Sequence, residues 1–192
     1  MSEETRQRIL TKGAELIHRQ GYNNTGIKQI LDAAQVPKGS FYFYFGSKED
    51  FGLAVVEYHE ALFRDRVMQI LIQGEGGPLT RLRAFFEYFR AFFAEAGYCL
   101  GCPIGNLAQE MGDLSPIFQQ RLEKSMRGLT RVISRVLAEA GGLGELPEGL
   151  DPGETAMFMV EAWHGALARM KVAKNAEPLD VCHKMLFERL LG

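Results

Sequence analysis

Apolar positions recur at three- and four-residue spacing almost from the start of the chain. Ile9, Leu10, Leu16 and Ile17, with small Gly13 and Ala14 between them, mark one face of a helix ending near Gly21. Thr25-Gly26 opens a shorter helix carrying Ile27, Ile30, Leu31 and Ala34. Val36-Pro37 breaks it, because the residue before proline is driven from helical geometry and proline suits a first helical turn. A third helix is predicted over about 38–45, stopped by Gly46-Ser47. Ser47 then caps a fourth helix, with Glu49 and Asp50 in the first turn, where negative charge meets the positive end of the helix dipole. That helix reaches residue 72 and ends at Gly74-Glu75-Gly76-Gly77-Pro78. Five more helices read over about 79–96, 106–111, 115–140, 152–173 and 178–191, with glycine-rich 141–151 as a loop. No stretch alternates with period two for long, so the fold class is all-α with about nine helices.

A chain of 192 residues, 46% of them hydrophobic, is long enough to bury a real core. Charges interrupt every apolar run well short of the roughly 18 residues a bilayer span needs. The acidic start Met1-Ser2-Glu3-Glu4 is no signal peptide, and a cytoplasmic location without membrane contact is expected. Three cysteines are too few and odd in number for a secreted disulfide framework. Cys99 and Cys102 form a C-x-x-C with no second pair, and His164, Cys182 and His183 show no ligand spacing, so neither metal nor cofactor is expected. Charge changes the picture more. Between Thr5 and Lys48 lie seven basic and two acidic residues, a local +5, while the rest of the chain carries −7. A basic head on an acidic body suits a nucleic-acid-binding module joined to something that is not one.

Two short helices joined by a tight turn, the second opening at Lys38, have the spacing of a helix-turn-helix. Pro37-Lys38-Gly39-Ser40 keeps the start of the reading helix small enough to approach a duplex. Tyr42, Tyr44 and Lys48 then supply donors for phosphates. Phe41 and Phe45, four apart on one face, belong to the core, and Tyr42 faces outward.

The run Val36-Pro37-Lys38-Gly39-Ser40-Phe41-Tyr42-Phe43-Tyr44-Phe45-Gly46-Ser47-Lys48-Glu49 resembles the DNA-binding signature of the tetracycline-repressor family of bacterial regulators, and Gly21-Tyr22, Thr25 and Ile30 match the segment before it. The resemblance implies a three-helix DNA-binding head over 1–48. It also implies a helical body over 49–192 that binds a small-molecule effector and dimerises through its last two helices. Repression of operator DNA, relieved by the effector, is the implied function. By position Tyr42 and Lys48 match phosphate-contacting residues, and Lys28, Lys38 and Ser40 fall where base edges or groove walls are met. Three departures stand out: Gly26 replaces a usual hydroxyl residue, Phe43 replaces a common histidine, and Gln35 replaces the turn glycine. The last places a non-glycine residue where positive φ is expected.

In the body, the segment over 79–96 is rich in aromatics, among them Phe89 and Phe93. With Met111, Trp163 and His164 from later helices it suggests an adaptable apolar pocket, or an ordinary core. Gly101-Cys102-Pro103-Ile104-Gly105-Asn106-Leu107 is similar to the family branch that responds to reactive electrophiles, where N-ethylmaleimide- and acrylate-responsive repressors belong; Cys102 matches its cysteine position. A thiol just before a helix start gains thiolate character from the dipole, though a buried structural cysteine is the plain alternative. Met157, Val160, Leu167, Met185, Leu186 and Leu190 recur at helical spacing and are expected to build a four-helix homodimer interface. Two rival functions remain. A thiol oxidoreductase using Cys99 and Cys102 would need a strand-to-helix junction that the pattern lacks, so no enzyme is expected; a helical protein-binding adaptor would need no basic head.

Overall fold

In a computed structural model that describes residues 2–192, the chain forms nine α-helices, and no strand is found among the described residues. They are α1 (Glu3–Gln20), α2 (Ile27–Ala34), α3 (Phe41–Tyr44), α4 (Lys48–Val67), α5 (Pro78–Glu95), α6 (Pro103–Met111), α7 (Pro116–Gly142), α8 (Pro152–Ala173) and α9 (Glu177–Lys184). A 3-10 turn, Lys38–Ser40, precedes α3, and π-helical turns follow α4 (Met68–Ile72) and α9 (Met185–Leu190). Local chemistry sets the starts. The Ser47 hydroxyl accepts the Asp50 N–H at 3.0 Å, as its capping position predicts, and Asp151 accepts those of Gly153 and Glu154, both at 2.8 Å, ahead of Pro152. Two boundaries differ from expectation. Helix α6 begins at Pro103 rather than near residue 106, because proline in a first turn gives up an N–H that has no partner there anyway. Helix α7 runs on to Gly142, into the expected loop.

The chain divides into two compact units: one runs up to Phe63 and includes Pro103–Lys124, the other comprises Arg64–Cys102 and Ser125–Gly192. The core of the first is built from Ile9, Ile17, Ile30, Leu31, Phe41, Phe51, Phe118 and their neighbours. Polar ties close it. Arg121 grips Glu60 with both guanidinium nitrogens, at 2.8 and 2.5 Å, and the Ser115 hydroxyl donates to Glu49 at 2.5 Å. His59 packs edge-on to His18, and burial first, then that second imidazole, pushes its pKa down to about 4. It therefore enters the packing neutral.

In the second unit Phe86 joins three elements, with its ring 4.9 Å from Trp163 of α8 and 5.5 Å from Phe187 beyond α9. Helix α8 packs along α9. Arg83 donates to the Phe187 carbonyl at 2.8 Å, and Arg90 pairs with Asp180. The expected interface positions separate here. Val160, Leu167 and Leu186 are buried within the subunit's own packing, and Leu190 is half-buried; only Met157 and Met185 of the six are exposed, beside Phe158 and Val181. Helical spacing shows that residues share a face, not which neighbour covers it.

Gly13 on α1 is where packing and propensity oppose each other. A Cβ there would lie 2.3 Å from Cζ of Phe51, a fully buried ring, and 3.0 Å from Ile30. Alanine is preferred in a helix by about 1 kcal/mol, but overpacking costs about 1–3 kcal/mol. Gly13→Ala should therefore destabilise the protein by up to about 2 kcal/mol in urea unfolding, the overpacking term prevailing; a stabilised variant would show that α1 and α4 are not this close.

Candidate nucleic-acid interface and effector residues

Helix α2 starts at Gly26, whose N–H donates to the Gln29 side chain at 2.9 Å. It ends in a left-handed cap at Gln35, φ 55° and ψ 47°, the positive φ its position predicts. The next N–H, that of Val36, reaches back to the Leu31 carbonyl at 3.0 Å. Pro37 then turns the chain into the 3-10 turn and α3, so the reading helix is one tight turn and one α turn rather than a continuous helix. Phe41 and Phe45 are buried and pack on Phe51, with ring centres 5.4 and 4.9 Å away. Both belong to the core, as their spacing predicts.

The candidate DNA-facing residues fall into three groups. Tyr42 is 67% exposed, and Lys38 and Lys28 are exposed as well, although Lys28 pairs with Asp32 at 2.9 Å. Such an exposed pair stabilises by little and yields readily to a phosphate. Ser40 and Lys48 are half-buried. The Lys48 ammonium sits 4.5 Å from the centre of the Tyr22 ring; burial pulls its pKa below the usual lysine value, opposed by the Glu110 carboxylate. Thr25 and Tyr44 turn inward. Thr25 is fully buried and donates its hydroxyl to the Gly21 carbonyl at 2.6 Å. The Tyr44 hydroxyl is enclosed and finds no partner among the described residues.

Glu110 was not legible in the sequence. Its two carboxylate oxygens accept the N–H groups of Tyr22 at 2.7 Å and Asn23 at 2.6 Å, holding the α1–α2 turn from α6. Gly21, at φ +89°, permits this approach, since a Cβ there would meet the carboxylate at 3.1 Å. Burial above all, then Glu49, Glu110 and Asp50, raises the Tyr22 pKa to about 12, so the ring under Lys48 stays neutral. Nothing in the local pattern around Glu110 points to a partner 88 residues away.

The effector candidates are only partly brought together. Phe89 packs against Phe85 at 5.1 Å and Phe93 at 6.5 Å on α5, and Trp163 reaches α5 through Phe86. His164 is half-buried, and burial lowers its pKa below the usual histidine value. Met111 is in the core of the first unit, with its sulfur 3.6 Å from the Asn23 amide nitrogen. Cys102 is half-buried and immediately precedes α6. Cys99, three residues earlier, lies 3.5 Å from the Lys174 ammonium, a neighbour the sequence did not reveal. Gly97, Tyr98, Leu100 and Gly101 around it all have positive φ.

Comparison with known proteins bears on both regions. Residues 9–55 match the model for bacterial regulatory proteins of the tetR family, and residues 78–186 match the tetracyclin repressor-like C-terminal domain. The chain is 38% identical to the transcriptional regulator AcuR of Cereibacter sphaeroides, over 90% of this chain and 79% of that one. It is 33% identical to the HTH-type transcriptional repressor NemR of Escherichia coli, over 92% and 89%. Among solved structures it is similar to a regulatory protein TetR from Rhodobacter sphaeroides, with TM-score 0.89, 36% identity and coverage of 95% and 96%. It is also similar to the reduced form of Escherichia coli NemR, with TM-score 0.90, 31% identity and coverage of 97% and 96%.

The carboxylate at the α1–α2 turn is open to direct measurement. Glu110→Ala leaves the Tyr22 and Asn23 N–H groups without their acceptor, at about 1–3 kcal/mol for a buried donor. Asn23 lies at the surface, where water takes over part of the bond, so the expected loss in urea unfolding is about 1–2 kcal/mol. An unchanged stability would remove Glu110 from the head's support.

Proposed function

The chain belongs to the tetracycline-repressor family of bacterial regulators, and from that premise we propose that it acts in the cytoplasm as a homodimeric repressor of operator DNA, released by a small-molecule effector. The observation that carries the reading is the recognition turn. Two buried phenylalanines fix it, and Lys38 and Tyr42 stand outward from a segment, Thr5 to Lys48, of local charge +5. In this division of labour residues 1–48 read DNA and 49–192 bind the effector and the second subunit. The exposed apolar residues Met157, Phe158, Val181 and Met185 on the last two helices and the turn beyond them supply the surface for that second copy. Two symmetry-related heads would then occupy successive major grooves of a pseudo-palindrome, roughly 34–36 Å apart.

Titration of operator binding against salt tests the DNA half of the reading. Lys48→Ala should weaken all sequences alike and lower the slope of log affinity against log salt by about 1 for each head, and Tyr42→Phe should weaken binding without changing sequence preference. An unchanged slope for Lys48→Ala would take Lys48 off the phosphate backbone.

For the effector we propose a reactive electrophile sensed at Cys102. Support comes from its position directly before α6, from the similarity to NemR, whose solved form is described as reduced, and from the Lys174 ammonium beside neighbouring Cys99. With an α,β-unsaturated carbonyl, the Cys102 thiolate, its proton first given up to water, would add to the β-carbon. The displaced π pair would take a proton from water at the α-carbon, giving a neutral thioether. The second reading, a non-covalent apolar ligand, is favoured by the Phe85-Phe89-Phe93 row. N-ethylmaleimide added to the protein–operator complex separates them: wild type should release DNA and Cys102→Ser should not. Equal release from both would exclude Cys102, and release from neither would leave the apolar ligand.

A further inference from the structure

The recognition turn presents an outward face that its phosphate donors do not account for. Phe43 is 62% exposed, between Tyr42 and a Tyr44 whose ring meets it edge-on at 5.1 Å. Gly39, four residues earlier, lies in the 3-10 turn ahead of α3. No atom lies within 4 Å of where its Cβ would be, and its φ is not in the left-handed region. Neither the packing nor the backbone of this chain requires glycine there. A side chain there would project into open space, where a bound partner would meet it.

We propose that Gly39 and Phe43 form the base-reading face of the head, with the Phe43 ring packed on a thymine 5-methyl group in the major groove and Gly39 admitting the base edge. This rests on the DNA-binding reading above and adds to it the sequence feature that is read. The chemistry selects the occupant. Phe43 has no donor for a phosphate, and the negative face of its ring gains nothing from an anion. Base edges in the major groove present donors, acceptors and one apolar group, the thymine methyl. Tyr44 braces the ring from the side, so Phe43 meets the duplex already oriented. Lys38 and Tyr42, each one position earlier, are exposed as well and carry a charge and a hydroxyl suited to the phosphate backbone.

The test begins by enriching a duplex from a randomised pool with the purified full-length protein. Each thymine of the enriched duplex is then replaced singly by deoxyuridine, which removes the methyl group and nothing else. For wild type, at least one replacement in each half-site should weaken binding about fourfold, the worth of one buried methyl-sized group. The same replacement should be silent with Phe43→Ala, a change at an exposed position that leaves the core intact. Gly39→Ala should keep or raise the thermal midpoint of wild type and lose about tenfold or more in affinity. A pool that enriches no duplex fails the DNA-binding reading itself. An enriched duplex indifferent to every deoxyuridine, or one equally sensitive with Phe43→Ala, overturns the role of Phe43. Full affinity in Gly39→Ala overturns that of Gly39.

Discussion

A helix of four residues cannot hold itself together. Fixing the first helical turn costs more than its single hydrogen bond returns, and isolated helices become stable only at about 12–15 residues. The reading segment of this protein has a 3-10 turn and one α turn, so its shape depends on the burial of Phe41 and Phe45 against Phe51. Those rings are the constraint from which the head follows. With Phe41 and Phe45 turned inward, helical geometry turns Tyr42 and Phe43 outward, and Gly13 must be glycine so that Phe51 can approach α1.

The turn before α2 is held differently, by polar groups in place of rings. Glu110 accepts two consecutive N–H groups, Thr25 satisfies the Gly21 carbonyl, and Gly26 takes its partner from Gln29. Such groups are costly to leave unpaired when buried, so each fixes a conformation as well as adding stability. Lys48 shows the consequence for function: its ammonium rests over Tyr22, whose raised pKa keeps the ring neutral and the contact a cation–π one.

The second unit holds a run of left-handed backbone around Cys99. Tyr98 and Leu100 hold left-handed conformations that cost of order 1–3 kcal/mol each, within a stretch where Gly97 and Gly101 share that region. Cys99 lies inside this stretch, with the Lys174 ammonium beside it, and Lys174 is itself a left-handed residue at the end of α8. Strain held by surrounding structure is a feature of switching and binding segments, and it concentrates here beside the proposed sensor.

Much of this protein was legible in its sequence because the information was local. Hydrophobic periodicity gave nine helices, Ser47 declared the start of α4, the four-residue spacing of Phe41 and Phe45 put them inside, and the missing glycine at position 35 announced a left-handed glutamine. The signature from Val36 to Glu49 carried the family for the same reason, since a short contiguous run does the reading. Where partners lie far apart in the chain, sequence was silent. Glu110 and Tyr22 are separated by 88 residues and Cys99 and Lys174 by 75, and no periodicity links them. Periodicity also could not say whether Val160 and Leu186 meet their own subunit or another, or that Met111 packs into the core of the first unit. A pattern fixes which side of a helix is apolar; only the packing of helices against one another decides what that side touches.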